Sequence, residues 1–535
     1  MVQPVWARAV EHGVGTVARA LSDTACPSRI RAGRGGSLTV GAKEIPVPAA
    51  PVPTAPALPP FRTIADLVRE HAAAHPARLA LRHGALRLGW GEMDREVDRV
   101  AATLQHYGLR PQEAIAICGA NSMAYLLLFL GGLRAGLAVA PLPAGATAGQ
   151  LAGMVADSGA RFLFVDGSVR AFESAAPRIR MDLEGPGSLP AWLLAAGARP
   201  QPVQVQPGWA FNIIYSSGTT GTPKGIVQPH AMRWAHVARG ENHGYGADAV
   251  ALVATSLCSN TTLVAVFPCL AKGGAVVMTE GRFDPAAYLT LAQDARATHA
   301  MLVPVQYQRL MALPEFGRFD LSSFRMKFCT SAPFSAALKA DVLARWPGGL
   351  VEYYGMTEGG GTCILEAHHF PHKLHTVGKP AEGHDIRLID EEGRELPTGG
   401  TGEVVGRSGS MMTGYRNQSG KTREAEWYDA QGNRFIRTGD VGRFDEDGFL
   451  VLMDRRKDMV ISGGFNIYPS DLEAVLRQHP GVADAAVVGV PDAIWGEAPV
   501  AFVVAADGAP AEEALRAWAN ARLGKTQRLA GLRYL

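Results

Sequence analysis

The chain has 535 residues with a formal charge of +2, and 47% of it is hydrophobic against 19% charged. That length exceeds one ordinary core and predicts two or more domains. The near balance of charge, with no basic block interleaved with aromatics, removes any electrostatic case for nucleic acid.

Cys26, Cys118, Cys258, Cys269, Cys329 and Cys363 are scattered without Cys-x-x-Cys spacing, which argues for buried thiols in a reducing, cytoplasmic setting and against a disulfide frame or zinc site. Residues 1–60 are Ala/Arg/Gly-rich and then Pro-rich, a composition expected of a disordered or linker extension with no core of its own. Residues 1–30 lack a continuous apolar stretch, so no secretory signal is expected. Order is expected from Phe61, with an amphipathic helix opening at Thr63, a hairpin-like segment over 79–90 and a long helix over 93–107. The run Ala124–Leu133 is too short to span a bilayer and reads as a buried helix. Apolar runs at 114–118, 162–165, 210–214, 249–254, 274–278, 300–303 and 327–329 alternate with helical stretches, the pattern of α/β layers with mainly buried strands. Near Leu396 the texture changes to Gly-rich turns and short strands. After the charged run Asp454–Asp458 an α+β pattern follows, with helices over 470–478 and 511–523 and strands over 485–490 and 500–504.

Four segments carry chemistry. Tyr215-Ser216-Ser217-Gly218-Thr219-Thr220-Gly221-Thr222-Pro223-Lys224-Gly225 follows a buried strand end. Such a loop cannot fill a core, but it bares N–H groups and hydroxyls to an oxyanion, with one lysine adding charge. It is not a Walker loop. Tyr353-Tyr354-Gly355-Met356-Thr357-Glu358, with Ser331-Ala332-Pro333 upstream, offers an aromatic face with room beside it, a hydroxyl for phosphate and a carboxylate for a hard cation. In Arg437-Thr438-Gly439-Asp440 the aspartate can accept from vicinal hydroxyls. Asp447-Gly448 only turns a hairpin. Lys457 through Pro469 contains the pair Gly463-Gly464, and Trp495-Gly496-Glu497 lies further on.

In order and spacing these segments resemble the AMP-forming adenylate enzymes, and the resemblance runs from about Phe61 to the C-terminus. It implies an α/β fold: a large N-terminal domain (61–454) of layered α/β subdomains with a small β-rich portion, and a small mobile α+β C-terminal domain (455–535). It implies an ATP-dependent acid:CoA ligase with Mg²⁺. Ser216, Ser217, Gly218, Thr219, Thr220, Gly221 and Lys224 would hold phosphate, with Thr219, Lys224 and Glu358 catalytic. Ser331, Ala332, Pro333, Tyr354, Gly355 and Thr357 would bind nucleotide, Tyr354 stacking on adenine and Thr357 touching the α-phosphate, and Glu358 would hold the metal. Asp440 would bind ribose with Arg455 in support, Lys457 would be the hinge, and Gly463, Gly464 and Trp495 would meet coenzyme A. For Trp495 a plain core position is the alternative reading.

Two departures stand out. The family's adenylation lysine belongs beyond the segment Gly531–Leu535, where the chain stops, and Lys525 sits too early. The expectation is an incomplete C-terminal domain or a severe loss of adenylate formation. Ser259, where relatives often carry a histidine or aromatic gating residue, together with Gly359-Gly360-Gly361, hints at a roomy or tunnel-like pocket suited to an acyl or aryl acid of some length, although such glycines also serve turns. The expected partners are a fatty or aromatic carboxylic acid, ATP and coenzyme A. Delivery to a carrier protein, or nucleotide binding without catalysis, are the alternatives.

Overall fold

Strands buried on both faces divide their residues between two cores, and this chain does so twice. In a computed structural model, which describes residues 59–216, 223–455, 458–462, 465–492, 495–524 and 527–535, Ile115 and Ile117 enter one core while Ala114, Ala116 and Cys118 enter another. Likewise Ala251 and Val253 face one way and Leu252 the other. Successive strand residues point to opposite faces, so near-continuous apolar runs are what a doubly covered parallel sheet requires.

The first run belongs to a seven-stranded sheet ordered Gly414–Tyr415, Lys224–Pro229, Ala210–Ser216, Ala138–Leu142, Ala114–Cys118, Ala160–Val165, Arg178–Arg180. The second belongs to a nine-stranded sheet ordered Lys379–Pro380, Gly359–Glu366, Gly349–Met356, Met326–Cys329, His299–Leu302, Val250–Val253, Ala275–Met278, Leu79–His83, Leu86–Gly89. The helices Ile64–Ala74, Trp90–His106, Met123–Arg134 and Asn260–Ala271 supply the shared core to which both sheets contribute. The helix Met123–Arg134 is the buried one expected from its apolar run, and Ser122 caps it by accepting from the Tyr125 N–H. No helix among the described residues is long and apolar enough to cross a membrane.

The long helix begins at Trp90, earlier than expected, because Glu92 folds back to accept from the Gly89 N–H at 2.8 Å. Four of the described cysteines are buried free thiols, and Cys258 is only partly buried. A β-rich portion holds the strands Asp385–Ile389, Thr401–Arg407, Arg434–Phe444 and Glu426–Tyr428 in that order.

The chain divides into two units. Among the described residues, the larger takes 59–438 and 443–451 and the smaller takes 439–442 and 452–535. The smaller unit carries a sheet ordered Phe465–Ile467, Val460–Ser462, Gly496–Ala505, Val482–Asp492, with Gly531–Tyr534 parallel to Gly496–Ala505. Leu472 and Leu476 from the helix Pro469–Leu476, and Leu515 and Ala519 from Glu512–Asn520, fill its core.

Candidate active site

The strands Ala210–Ser216 and Lys224–Pro229 pair antiparallel, with Ser216 opposite Lys224. The expected phosphate-loop residues Ser217, Gly218, Thr219, Thr220 and Gly221 lie outside the described residues. The pairing still fixes both ends of their loop at one edge of the seven-stranded sheet.

Lys224 Nζ stands 5.0 Å from the centre of the Tyr415 ring, within cation–π range. Tyr415 arrives on the short strand that pairs with Lys224–Pro229, opposite Ile226. Its hydroxyl donates to Glu358 Oε1 at 2.8 Å. Burial, and then the Glu358 charge, hold this phenol well above its ordinary pKa, so it stays a donor. Glu358 itself is 8% exposed. Sheet pairing thus gathers Lys224, Tyr415 and Glu358 from three distant stretches of chain.

Thr357 is positioned from behind. Gln228 Nε2 donates to the Thr357 carbonyl at 2.6 Å. Gln228 Oε1 accepts from Arg233, which also donates to Asn212 Oδ1 at 3.0 Å and Asn260 Oδ1 at 3.1 Å. Burial lowers the Arg233 pKa to about 9, and three amide oxygens, not a carboxylate, receive the guanidinium. Tyr415, Gln228, Arg233 and Asn260 are absent from the residues singled out by sequence.

Beside this network lies a cavity of about 190 Å³. Ser331, Gly355 and Thr357 border it, and Tyr353 forms a wall, stacked on Phe328 at 5.7 Å between ring centres. Ser331 holds a left-handed φ of 79°, a strained choice for a residue with a Cβ, and its hydroxyl meets Thr261 Oγ1 at 2.6 Å. Ala332 and Pro333 are exposed beyond it. Tyr354, next along the strand Gly349–Met356, is not among the cavity's lining residues, as strand alternation requires. Ser259 does line the cavity and also caps the helix Asn260–Ala271.

The glycines after Glu358 serve the backbone. A Cβ on Gly359 would meet the Ser410 carbonyl at 2.1 Å, and one on Gly361 would meet Ile386 Cδ1 at 1.7 Å. They give no sign of a long tunnel. A cavity of about 150 Å³ accommodates benzene, so the observed space suits a single ring with a short chain.

No cluster of three His, Cys, Asp or Glu side chains able to hold a metal occurs among the described residues. One nearly buried carboxylate, Glu358, still fits Mg²⁺, which is commonly held by one or two carboxylates together with substrate phosphates.

The remaining expected residues belong to the smaller unit or lie outside the described residues. Asp440 lies partly exposed in the strand Arg434–Phe444 and groups with the smaller unit. Arg455 ends the strand Leu450–Arg455, with its side chain outside the described residues, as are Lys457, Gly463 and Gly464. Trp495 is 57% exposed in the smaller unit, which overturns the alternative that it fills a core.

The family model of the AMP-binding enzymes matches residues 68–416, and that of the AMP-binding enzyme C-terminal domain matches 471–533. A feruloyl-CoA synthase of an Amycolatopsis species is 36% identical over 452 residues, covering 84% of this chain and 90% of that protein. The fatty acid–[acyl-carrier-protein] ligase ScoC of Streptomyces coeruleorubidus is 33% identical over 84% of this chain and 88% of its own. Among solved structures, the o-succinylbenzoate CoA synthetase MenE of Bacillus subtilis, in complex with its acyl-adenylate intermediate, superposes with a TM-score of 0.75. That match has 26% identity and covers 88% of this chain and 94% of that one.

Proposed function

Because the chain belongs to the AMP-binding enzyme family, we propose that it is an ATP-dependent acid:CoA ligase acting on a carboxylic acid of about one ring in size. The carboxylate attacks the α-phosphorus of ATP and pyrophosphate leaves. The thiol of coenzyme A then attacks the acyl carbon of the acyl adenylate, and AMP leaves with the bonding pair. The observation that carries this reading is the convergence of Lys224, Thr357 and Glu358 beside a cavity of about 190 Å³.

In this reading Ser216 to Lys224, with Thr219 and Lys224 foremost, bind and neutralise the phosphates, and in-line geometry comes from holding acid and nucleotide together. Thr357 donates its hydroxyl to the α-phosphate, steadied through its carbonyl by Gln228. Ser331, Ala332, Pro333 and Gly355 border the nucleotide, and Tyr354 carries the adenine. Glu358 would hold Mg²⁺, which supplies charge neutralisation at the triphosphate when bound. Asp440 and Arg455 are assigned to the ribose, Lys457 to the hinge of a domain closure, and Gly463, Gly464 and Trp495 to coenzyme A. A domain boundary near residue 454 goes with that hinge.

The test is AMP and pyrophosphate release from ATP, Mg²⁺ and a panel of aryl and short acyl acids, with and without coenzyme A. Acid-dependent ATP–pyrophosphate exchange with no acyl-CoA product would point to the second reading, transfer to a carrier protein, which the likeness to ScoC supports. Nucleotide binding without exchange for any acid would overturn the ligase reading.

A further inference from the structure

One helical stripe lines the length of the acid cavity. Met232, His236, Arg239 and His243 fall at steps of four, three and four residues along the helix His230–Arg239 and the turn after it. The helix opens just after Gln228, which holds the Thr357 carbonyl, so its N-terminal end lies toward the site of adenylation. At 1.5 Å per residue Arg239 stands about 14 Å further along the axis. The polar part of the stripe therefore marks the cavity end remote from the reacting carboxylate.

Arg239 is poorly provided for there. Its one hydrogen-bonding contact among the described residues is Nη2 to His384 Nε2 at 3.1 Å. The other ring nitrogen of His384 already accepts from the Thr362 N–H at 2.9 Å. A neutral imidazole accepts at one nitrogen only, so the backbone donor and the guanidinium compete for it. No carboxylate occurs among the described residues lining the cavity. His243, 6% exposed, also lines it and leaves both ring nitrogens unpartnered.

Burial, then neighbouring arginines, lower His236 well below its ordinary pKa and His243 to about 4, and burial likewise takes His384 to about 3. These three are neutral near pH 7, and the Tyr353 phenol in the same wall is held neutral by burial. Arg233 is spent on three amides. Arg239, half-buried, is left without a carboxylate partner among the described residues, and a cation withdrawn from water without an anion is costly unless a ligand supplies one.

Resting on the ligase reading, we infer that the acid substrate carries a second anionic group, a distal carboxylate, which binds Arg239 with His243 completing its hydrogen bonds, while the ring lies against Tyr353 and Phe328. A neutral substituent at that position would leave the guanidinium uncompensated.

The experiment compares three probes by acid-dependent AMP release: 4-carboxycinnamate, its distal methyl ester, and cinnamate. Wild type is expected to favour the diacid over its ester by about 10⁴-fold in kcat/KM, the scale at which sites built to hydrogen-bond a polar group reject analogues that lack it. Arg239→Met is expected to reverse that order, and Arg239→Lys to recover part of it, since the ammonium keeps the charge but loses the fork. Equal or better use of the ester by wild type, or an unchanged ratio in Arg239→Met, would overturn the inference and leave the ligase reading standing. If the variant fails to fold, the wild-type ratio still decides. AMP release with none of these probes, but with other acids of the panel, would also overturn it, whereas silence with every acid removes the ligase reading itself.

Discussion

Arg134, which is buried, and Arg239, which is half-buried, both stand at the ends of helices, and their surroundings are opposite. Arg134 Nη2 meets Asp94 at 2.6 Å and Nη1 meets Asp98 at 2.8 Å, and further bonds reach the carbonyls of Asp94 and Ala65. It ties the helices Ile64–Ala74, Trp90–His106 and Met123–Arg134 together. Lys327 is similar in kind, fully buried and donating to the carbonyls of Trp346, Pro347 and Gly348. Arg239 has one contested imidazole, and the Lys224 ammonium has the face of an aromatic ring and no side-chain hydrogen bond among the described residues. Burial of a cation therefore says little about role. Whether the framework has already supplied its acceptors separates those that hold the fold from those held ready for a ligand.

Truncation is the most direct way to break this distinction. Arg134→Met strands two carboxylates between helices and is expected to cost about 3–5 kcal/mol of folding stability, read as a lower urea midpoint. Lys224→Ala is expected to leave that midpoint in place and to slow acid-dependent pyrophosphate exchange by about 10²–10³-fold, the effect of removing one fixed donor from developing charge. A lower midpoint without slower exchange would move Lys224 to the framework class. Arg239→Met sharpens the contrast by its sign. Removing an uncompensated, half-buried charge is expected to raise stability by about 1 kcal/mol, the low end of the gain seen when buried ionic groups give way to apolar ones, and a loss comparable to that of Arg134→Met would make it structural.

The same distinction bears on what the sequence could disclose. Layered α/β architecture was legible because strands such as Ala114–Cys118 and Val250–Val253 must be apolar on both faces, and no other arrangement buries such runs so readily. Ser216, Lys224, Thr357 and Glu358 were legible because their motifs lie within single short stretches. Tyr415 was not: it reaches Glu358 only because a two-residue strand pairs with Ile226 and Val227, and two residues carry no periodic signal. Gln228 and Arg233 were missed for a related reason, since an amide network around an arginine draws on residues as far apart as Asn212 and Asn260. One signal was available and went unread. The spacing of Met232, His236, Arg239 and His243 puts three basic or titratable residues on one side of the helix His230–Arg239 and the turn after it, one strand beyond the phosphate loop. A plain core helix would not be expected to keep such a stripe.

Tyr415 offers the finest test, because it belongs to both classes at once. Its ring underlies Lys224, and its hydroxyl spends one oxygen of Glu358. Tyr415→Phe keeps the ring beneath the lysine and removes only the donor. If that hydroxyl merely satisfies a buried carboxylate, its loss should lower stability by about 1 kcal/mol and leave exchange unchanged, the usual net value of one hydrogen bond. If it orients Glu358 toward the metal, exchange should fall about fivefold, the apparent Mg²⁺ requirement should rise, and high Mg²⁺ should restore the rate. The second outcome is expected, since Glu358 is 8% exposed and has little freedom to find another donor. A double-mutant cycle with Glu358→Gln then measures the coupling directly. Additive effects on exchange would show that the two side chains act independently, and Tyr415 would join Arg134 as a framework residue.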